Sequence, residues 1–479
     1  MGRTTDEANA ASASREANAS PAAKVASNPQ AANASSAAQA AGRGSSGSGV
    51  KRLSVNPLKI SQTLGGTLAL QGIFHAMPIL HGAQGCAAFT KALMTRHYRE
   101  PIALQTSALQ EFNVIFGGEA SLYEALDTIR AKHNPDVMVV LSTALTDVSG
   151  EDIRGELALY RKKHELGGRL LTGAMLPDFE GSLESGYART VEALLEEVLT
   201  SSALPRKKIR GRVNLLPGSH LTPGDVMELK EIIASFGLEV IAIPDISTSL
   251  AGHLLTGHTP LSRGGVPLDL LKQAAASDWT IAVGASMEGA ARLFEKHAGI
   301  PYKLFAGVTG LAQSDEFFGF LQRIGSEPVS VKYRWQREFL MDAMLDAHFV
   351  FGGKKIALAL EADHLAVQES WFREMGAKPD HRIAAARPYA GGKLSTGTMI
   401  GDLGDLEELA ASGGADLWIS NSHGEQGAHR RDIPFLPCGF PIFDRFGVGL
   451  HVSVGYRGTA DWLNRVGNEL LAAERRAHG

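Results

Sequence analysis

"GRVNLLPGSHLTPGDVMELKEIIASFGLEVIAIPD", Gly211 to Asp245, holds the fold in one unit. A short apolar run leads into a helical pattern and then into a second apolar run, "LEVIAIPD". Pro223 stands where a first helical turn accepts proline, because that turn needs no N–H from it. Gly237 stands where a helix terminates, since glycine takes the left-handed backbone at no steric cost. The same grammar appears upstream in "PDVMVVLS" (135–142) followed by "GEDIRGELALYRKK" (150–163). It returns in "DWTIAVGAS" with "MEGAARLFEKHAG", in "KKIALALEADHLAVQESWFREMGAK", and in "GDLEELAASGGADLWISNS". Strand then helix, repeated, predicts parallel sheets covered by helices on both faces.

The first fifty residues differ in kind. They are mostly Ala, Ser, Asn and Gly, with Met1, Val25 and Val50 the only large apolar residues. Such a stretch buries too little surface to offset its ordering entropy, so a disordered tail is expected over 1–50. It has no apolar segment of a secretory signal, and Asp6, Glu7 and Glu16 argue against an organelle transit peptide. Residues 51–479 suffice for about three domains at roughly 150 residues each. The alternation divides them into α/β domains at 51–210, 211–345 and 346–479, the last with a C-terminal helix.

A net charge of −4 points to neither nucleic acid nor an anionic membrane surface, and no uncharged run reaches the length of a membrane span. Two cysteines, Cys86 and Cys438, make no disulfide framework, so a reducing cytoplasm is expected. In parallel sheets ligands gather outside the carboxyl ends of strands. The loops to search are therefore 142–152, 217–223, 244–252, 286–289 and 420–427.

Self-contained motifs fail. "GRGSSG" (42–47) spells a dinucleotide fingerprint but follows no strand, and "GGKK" (352–355) lacks the spacing of a phosphate loop. No H-E-x-x-H, C-x-x-C or G-x-S-x-G occurs. Cys86 follows the Gly-rich "HGAQG" at a helix start, where free N–H groups favour thiolate and other anions. It is either a packed small hydrophobe, the usual state of a lone cysteine, or a ligand. Phe89 and Leu93 are expected on one face of that helix. Arg96, His97 and Arg99 read as a solvated helix end that suits the dipole. His81 reads as a hydrogen-bonding partner rather than a ligand. Cys438, in "PFLPCGFP", reads as a buried apolar residue. If Cys86 holds an iron–sulfur cube, four thiolates are needed and this chain offers two at most, so the others come from another polypeptide.

The stretch "NPLKISQTLGGTLALQGIFHAMPILHGAQGCAAFTKALMTRHYREPIALQTSALQEFNVIFGG" (56–118) resembles the N-terminal signature of the nitrogenase component 1 superfamily. "LSTALTDVSGEDI" (141–153), "PDFEGSLESGY" (177–187), "GDLGDLEEL" (401–409) and "SNSHG…PFLPCGFPIFDRFG" (420–447) resemble later motifs of the family in the same order. The resemblance covers about residues 53–465. It implies three Rossmann-like α/β domains. The family's catalytic β subunits carry three cysteines for an eight-iron cluster, and only one falls on a cysteine here, Cys86. The other two lie in stretches where this chain has Ser61 and Ala144.

The resemblance therefore implies the cofactor-assembly branch of the family. Its attributes are a [4Fe–4S] cluster with Cys86 as this chain's metal ligand, shared with a NifE-like partner subunit in an α2β2 heterotetramer. They also include a bound iron–molybdenum cofactor precursor, a precursor-donor protein, and docking of the nitrogenase iron protein near Phe116. Without the resemblance, Phe116 reads equally as a core aromatic. Asn421, Ser422 and His423 follow a strand end, where they line a cleft or simply cap a helix. No residue is expected to act as acid, base or nucleophile. A reductase subunit, of the nitrogenase β type or the light-independent protochlorophyllide reductase type, and a cluster-free α/β binding module remain as competing readings.

Overall fold

The computed structural model describes residues 56–478 apart from 201–203, 206, 253–256 and 258. The expected disordered tail at 1–50 lies outside the described residues. Leu53–Gly479 forms one compact unit.

Apolar runs with both faces buried become parallel strands, and this chain has three sets of them. The first sheet holds β1 (Ala76–Leu80), β2 (Gln105–Thr106), β3 (Val137–Leu141) and β4 (Leu170–Ala174) in the order β2-β1-β3-β4. The second holds β5 (Arg212–Pro217), β6 (Glu239–Ala242), β7 (Trp279–Val283) and β8 (Tyr302–Phe305) in the order β6-β5-β7-β8. The third holds β9 (Lys355–Leu360), β10 (Lys378–Ala384), β11 (Met399–Ile400), β12 (Leu417–Ser420) and β13 (Phe435–Pro437) in the order β11-β10-β9-β12-β13. Every pairing in the three sheets is parallel, and helices flank them.

The opening stretch folds as its residues dictate. Arg212–Pro217 is a fully buried strand, Thr222 caps the helix Pro223–Ala234 by accepting from the Asp225 N–H, and Gly237 sits at φ 73°. One continuous apolar core runs from the first sheet (Val139) through the helix Leu183–Leu199 (Tyr187) into the second sheet (Leu215, Phe305). The third sheet has its own core around Ile356, Trp371 and Trp462. The helix Val331–Phe351 joins them, with Tyr333 and Leu340 in the shared core and Phe351 in the third. Position 345, where a boundary is expected, therefore lies inside an unbroken helix rather than a linker. The C-terminal helix Gly455–His478 brings Trp462 and Leu463 to the third core.

Two helices meet at backbone contact. A Cβ on Gly65 would stand 1.9 Å from the Leu183 carbonyl oxygen, and one on Gly186 would stand 1.9 Å from that of Gln62. The helix Gln62–Gln71 is thereby seated against Leu183–Leu199, and its start is fixed at the carboxyl end of the first sheet.

Candidate metal site and interior cavity

The loops leaving β1 and β3 converge with the entry to the helix Gln62–Gln71. Thr63 Oγ1 donates to the Ser142 carbonyl (3.3 Å), and Thr143 Oγ1 donates to the His81 carbonyl (2.9 Å). A Cβ on Gly82 would already touch Thr143 at 2.7 Å. Three positions thus share one edge of the molecule, each at the start of a helix. Ser61 is the N-cap of Gln62–Gln71, with its hydroxyl accepting from the Thr63 N–H (3.1 Å). Cys86 is the third residue of Gln84–Tyr98, and Ala144 is the first of Ala144–Ser149. Cys86 and Ala144 are exposed and Ser61 is half-buried.

The packing alternative for Cys86 is thereby removed, because its thiol faces outward. The helix it opens is fifteen residues long and has no side-chain cap on Ala83, so its first N–H groups point toward whatever lies beside the thiol. Ser61 uses its oxygen on its own helix and Ala144 has no donor atom. Among the described residues no group of three His, Cys, Asp or Glu side chains stands ready for a metal ion. This edge offers one sulfur.

His81, 1% exposed, is occupied at both nitrogens, by Ser107 Oγ (2.8 Å) and Glu151 Oε2 (2.5 Å). Burial lowers its pKa while the Glu151 carboxylate works against that shift. It braces the loop, in keeping with the hydrogen-bonding reading. Phe89 corrects the expectation: it is 67% exposed while Leu93 is buried, because the helix turns its Cys86 side to solvent and Phe89 lies one turn further on that side. Phe116 is also exposed, its ring 4.5 Å from that of exposed Phe112. Their helix, Glu111–Phe116, packs on Ala144–Ser149, where Val148 is exposed as well. An ordinary core aromatic is therefore not what Phe116 is.

A second region lies between the sheets. A cavity there is walled by His97 and Tyr98, by His220 beyond β5, by Glu361 and His364 beyond β9, and by Cys438 beyond β13. Cys438 Sγ is 3.3 Å from His364 Nε2. Burial pushes the Cys438 thiol up to about 12 and the His364 imidazole down to about 3. The His220 ring centre is 5.8 Å from that of His364, burial lowers its pKa to about 4, and both of its buried nitrogens lack a hydrogen-bond partner. His97 corrects the reading of a solvated helix end. It is buried, its Nδ1 accepts from the Ile442 N–H (2.8 Å), and burial lowers its pKa to about 3. Its neighbours Arg96 and Arg99 instead lie over Phe443 and Phe446. Asn421 does cap, accepting from the His423 N–H (3.1 Å), and it also donates to the Phe440 carbonyl (3.0 Å).

Buried carboxyl groups knit the three sheets beside this cavity. Asp363 accepts from the Ala285 and Ser286 N–H groups (3.0 Å each), and its own N–H donates to Glu184 Oε2 (2.7 Å). Ser182 Oγ donates to Glu361. Burial, then the nearby Asp363 and Glu361 charges, holds Glu184 well above the usual carboxylate range. Burial also lifts Glu361 to about 7 against the Ser182 hydrogen bond. Sequence reasoning missed Glu184, Glu361, Asp363, His364 and His220 as a set. The strand-end rule, applied to "KKIALALEADH", points to three of them.

Known proteins share this architecture. The family of nitrogenase component 1 type oxidoreductases matches residues 61–471. Proteins named nitrogenase iron–molybdenum cofactor biosynthesis protein NifN are 39% identical over 88% of this chain and 90% of their own length in Bradyrhizobium diazoefficiens. The corresponding protein of Rippkaea orientalis is 42% identical over 88% of this chain and 95% of its own. That of Klebsiella pneumoniae is 34% identical over 89% and 93%. A solved nitrogenase Cp1 chain superposes with a TM-score of 0.83 at 28% identity, covering 90% of this chain and 96% of that one. Its three sheets, its strand-end loops and this match across nearly all of the folded unit agree, and the chain belongs to the nitrogenase component 1 type oxidoreductase family.

Proposed function

We propose that this chain does the work its NifN relatives are named for, as a β-like subunit of a scaffold on which the iron–molybdenum cofactor of nitrogenase is built. The observation that carries the reading is the single outward thiol of Cys86, on an edge where Ser61 and Ala144 bring no second sulfur. One thiolate cannot complete an iron–sulfur cube, so Cys86 would hold one corner of a [4Fe–4S] cluster whose other ligands come from a NifE-like subunit. The donor set fits that share: a soft sulfur, accessible, at a helix start whose N–H groups favour an anionic cluster. When bound, such a cluster supplies electron transfer. What this chain does is present the ligand, orient it through the loop braced by His81, and offer the apolar surface around Phe116 to the nitrogenase iron protein. The complex, an α2β2 heterotetramer on this reading, receives the precursor from a donor protein and holds it during maturation. No helix among the described residues is long and apolar enough to cross a membrane.

The experiment is anaerobic co-purification with the partner subunit, followed by iron and molybdenum analysis and by addition to cofactor-deficient nitrogenase. An iron-bearing complex that restores nitrogenase activity is expected. Substrate reduction by the complex itself would instead make the chain a reductase subunit. A colourless, iron-free complex would make it a cluster-free binding module.

A further inference from the structure

The cavity between the sheets has ligand chemistry that the Cys86 edge does not use. Cys438, His364 and His220 follow three separate strands, at the carboxyl ends where parallel sheets place ligands, with His364 in the first turn of the helix Ala362–Glu374. A tetrahedral ion with metal–sulfur and metal–nitrogen distances of about 2.3 and 2.0 Å holds its sulfur and nitrogen donors about 3.5 Å apart. Cys438 Sγ and His364 Nε2 are 3.3 Å apart. Two imidazoles on one such ion have ring centres about 5 Å apart, and those of His364 and His220 are at 5.8 Å. His220 adds the independent sign of an absent ligand: both of its ring nitrogens are buried in the cavity wall with no partner, an arrangement that is costly unless something fills it.

We propose that Cys438, His364 and His220 bind a borderline divalent transition-metal ion of the zinc, iron(II) or cobalt class, at a site separate from Cys86. The three are not already closed on one point, so the ion draws His220 in by several tenths of an ångström. Thiolate and imidazole together select this class over magnesium or calcium, which take oxygen donors. A metal–sulfur bond forms as the Cys438 S–H bond breaks, one proton leaves to solvent, and no electron changes hands. The cavity leaves the fourth position to water. Arg465, on the same wall, favours the thiolate form of Cys438.

The test uses the full chain in complex with its partner, titrated anaerobically with cobalt(II) and read at the cobalt absorption edge, which iron clusters do not obscure. The expected site has one sulfur at about 2.3 Å with nitrogen neighbours, and it persists in Cys86→Ala. It loses the sulfur in Cys438→Ser, and cobalt affinity falls at least tenfold in His364→Asn, both checked for unchanged assembly. A sulfur-free cobalt environment, a sulfur shell that survives Cys438→Ser, or no cobalt retained at micromolar concentration overturns the proposal. Any of these leaves Cys438 and His364 as a plain S–H···N hydrogen bond.

Discussion

The two cysteines of this chain sit in opposite physical settings. Cys86 lies on the rim of the first sheet with its thiol in the open, at the start of a helix. Cys438 lies between the sheets, buried beside a neutral imidazole, with its thiol pushed up to about 12. The difference comes from what surrounds each helix or strand end. At the rim, a Gly-rich turn and an outward helix face leave the sulfur exposed. In the interior, strand ends from separate sheets close over the sulfur. This chain thus carries one sulfur facing outward and one facing its own interior.

The comparison rests on the seating of helices that link the two regions, and breaking that seating has the largest expected effect. In Gly186→Val the new side chain meets the Gln62 backbone, which is part of the other helix and has no room to yield. A loss of about 3 kcal/mol or more is expected, measured by urea unfolding. The same helix carries Leu183 to the cavity wall and holds Gln62 beside Ser61 at the rim, so both regions should suffer together. A near-neutral result would mean that the two regions are not mechanically coupled.

Thiol chemistry sharpens the contrast directly. In the folded, cluster-free chain at pH 7, alkylation followed by mass spectrometry should label Cys86 at least about a hundredfold faster than Cys438, since the thiolate is the reactive form. Equal rates would erase the distinction between an open and a closed sulfur.

The interior also predicts a pH effect. Glu361 is raised from an ordinary 4.5 to about 7 in the folded chain. The folded state therefore holds a proton that the unfolded state gives up. The associated stability is complete below pH 4.5 and is lost as pH rises through 7, about 3 kcal/mol in all. Melting measured across that window should show a decline that Glu361→Gln flattens. A decline of the same size in the variant would place its origin elsewhere.

The smallest effect on stability is expected at the outer surface. Phe116→Ala should change unfolding free energy by no more than about 0.5 kcal/mol, because the ring is exposed. On the proposed reading it should weaken association with the nitrogenase iron protein, measured by binding to the assembled complex. Stability loss without a binding change would make the ring a packing residue.

Much of this was legible in the residues. "PDVMVVLS" and "GRVNLLPGS" announce buried strands because both faces are apolar, and Pro223 and Gly237 mark their helix locally. The special place of Cys86 came from its Gly-rich approach and from arithmetic on sulfur. Local signals run out where side chains meet from afar. Cys438 and His364 are 74 residues apart, and nothing in "EADHLAV" tells which strand end will face it. His97 misled for the same reason. A helix end rich in Arg looks solvated, yet residues 345 positions away bury its histidine. Phe89 shows the converse, an aromatic at core-like spacing left outside where a partner surface is expected.

On the proposed reading, Cys86 supplies this chain's one ligand to a cluster shared between two subunits. The most direct measurement replaces Cys86 with Ala in the co-expressed complex and follows iron content with the reduced-cluster EPR signal, with Cys438→Ala as the control. Loss or alteration of the interface-cluster signal is expected in the first variant and an unchanged signal in the second. An intact signal with full iron in Cys86→Ala would rule out ligation by Cys86.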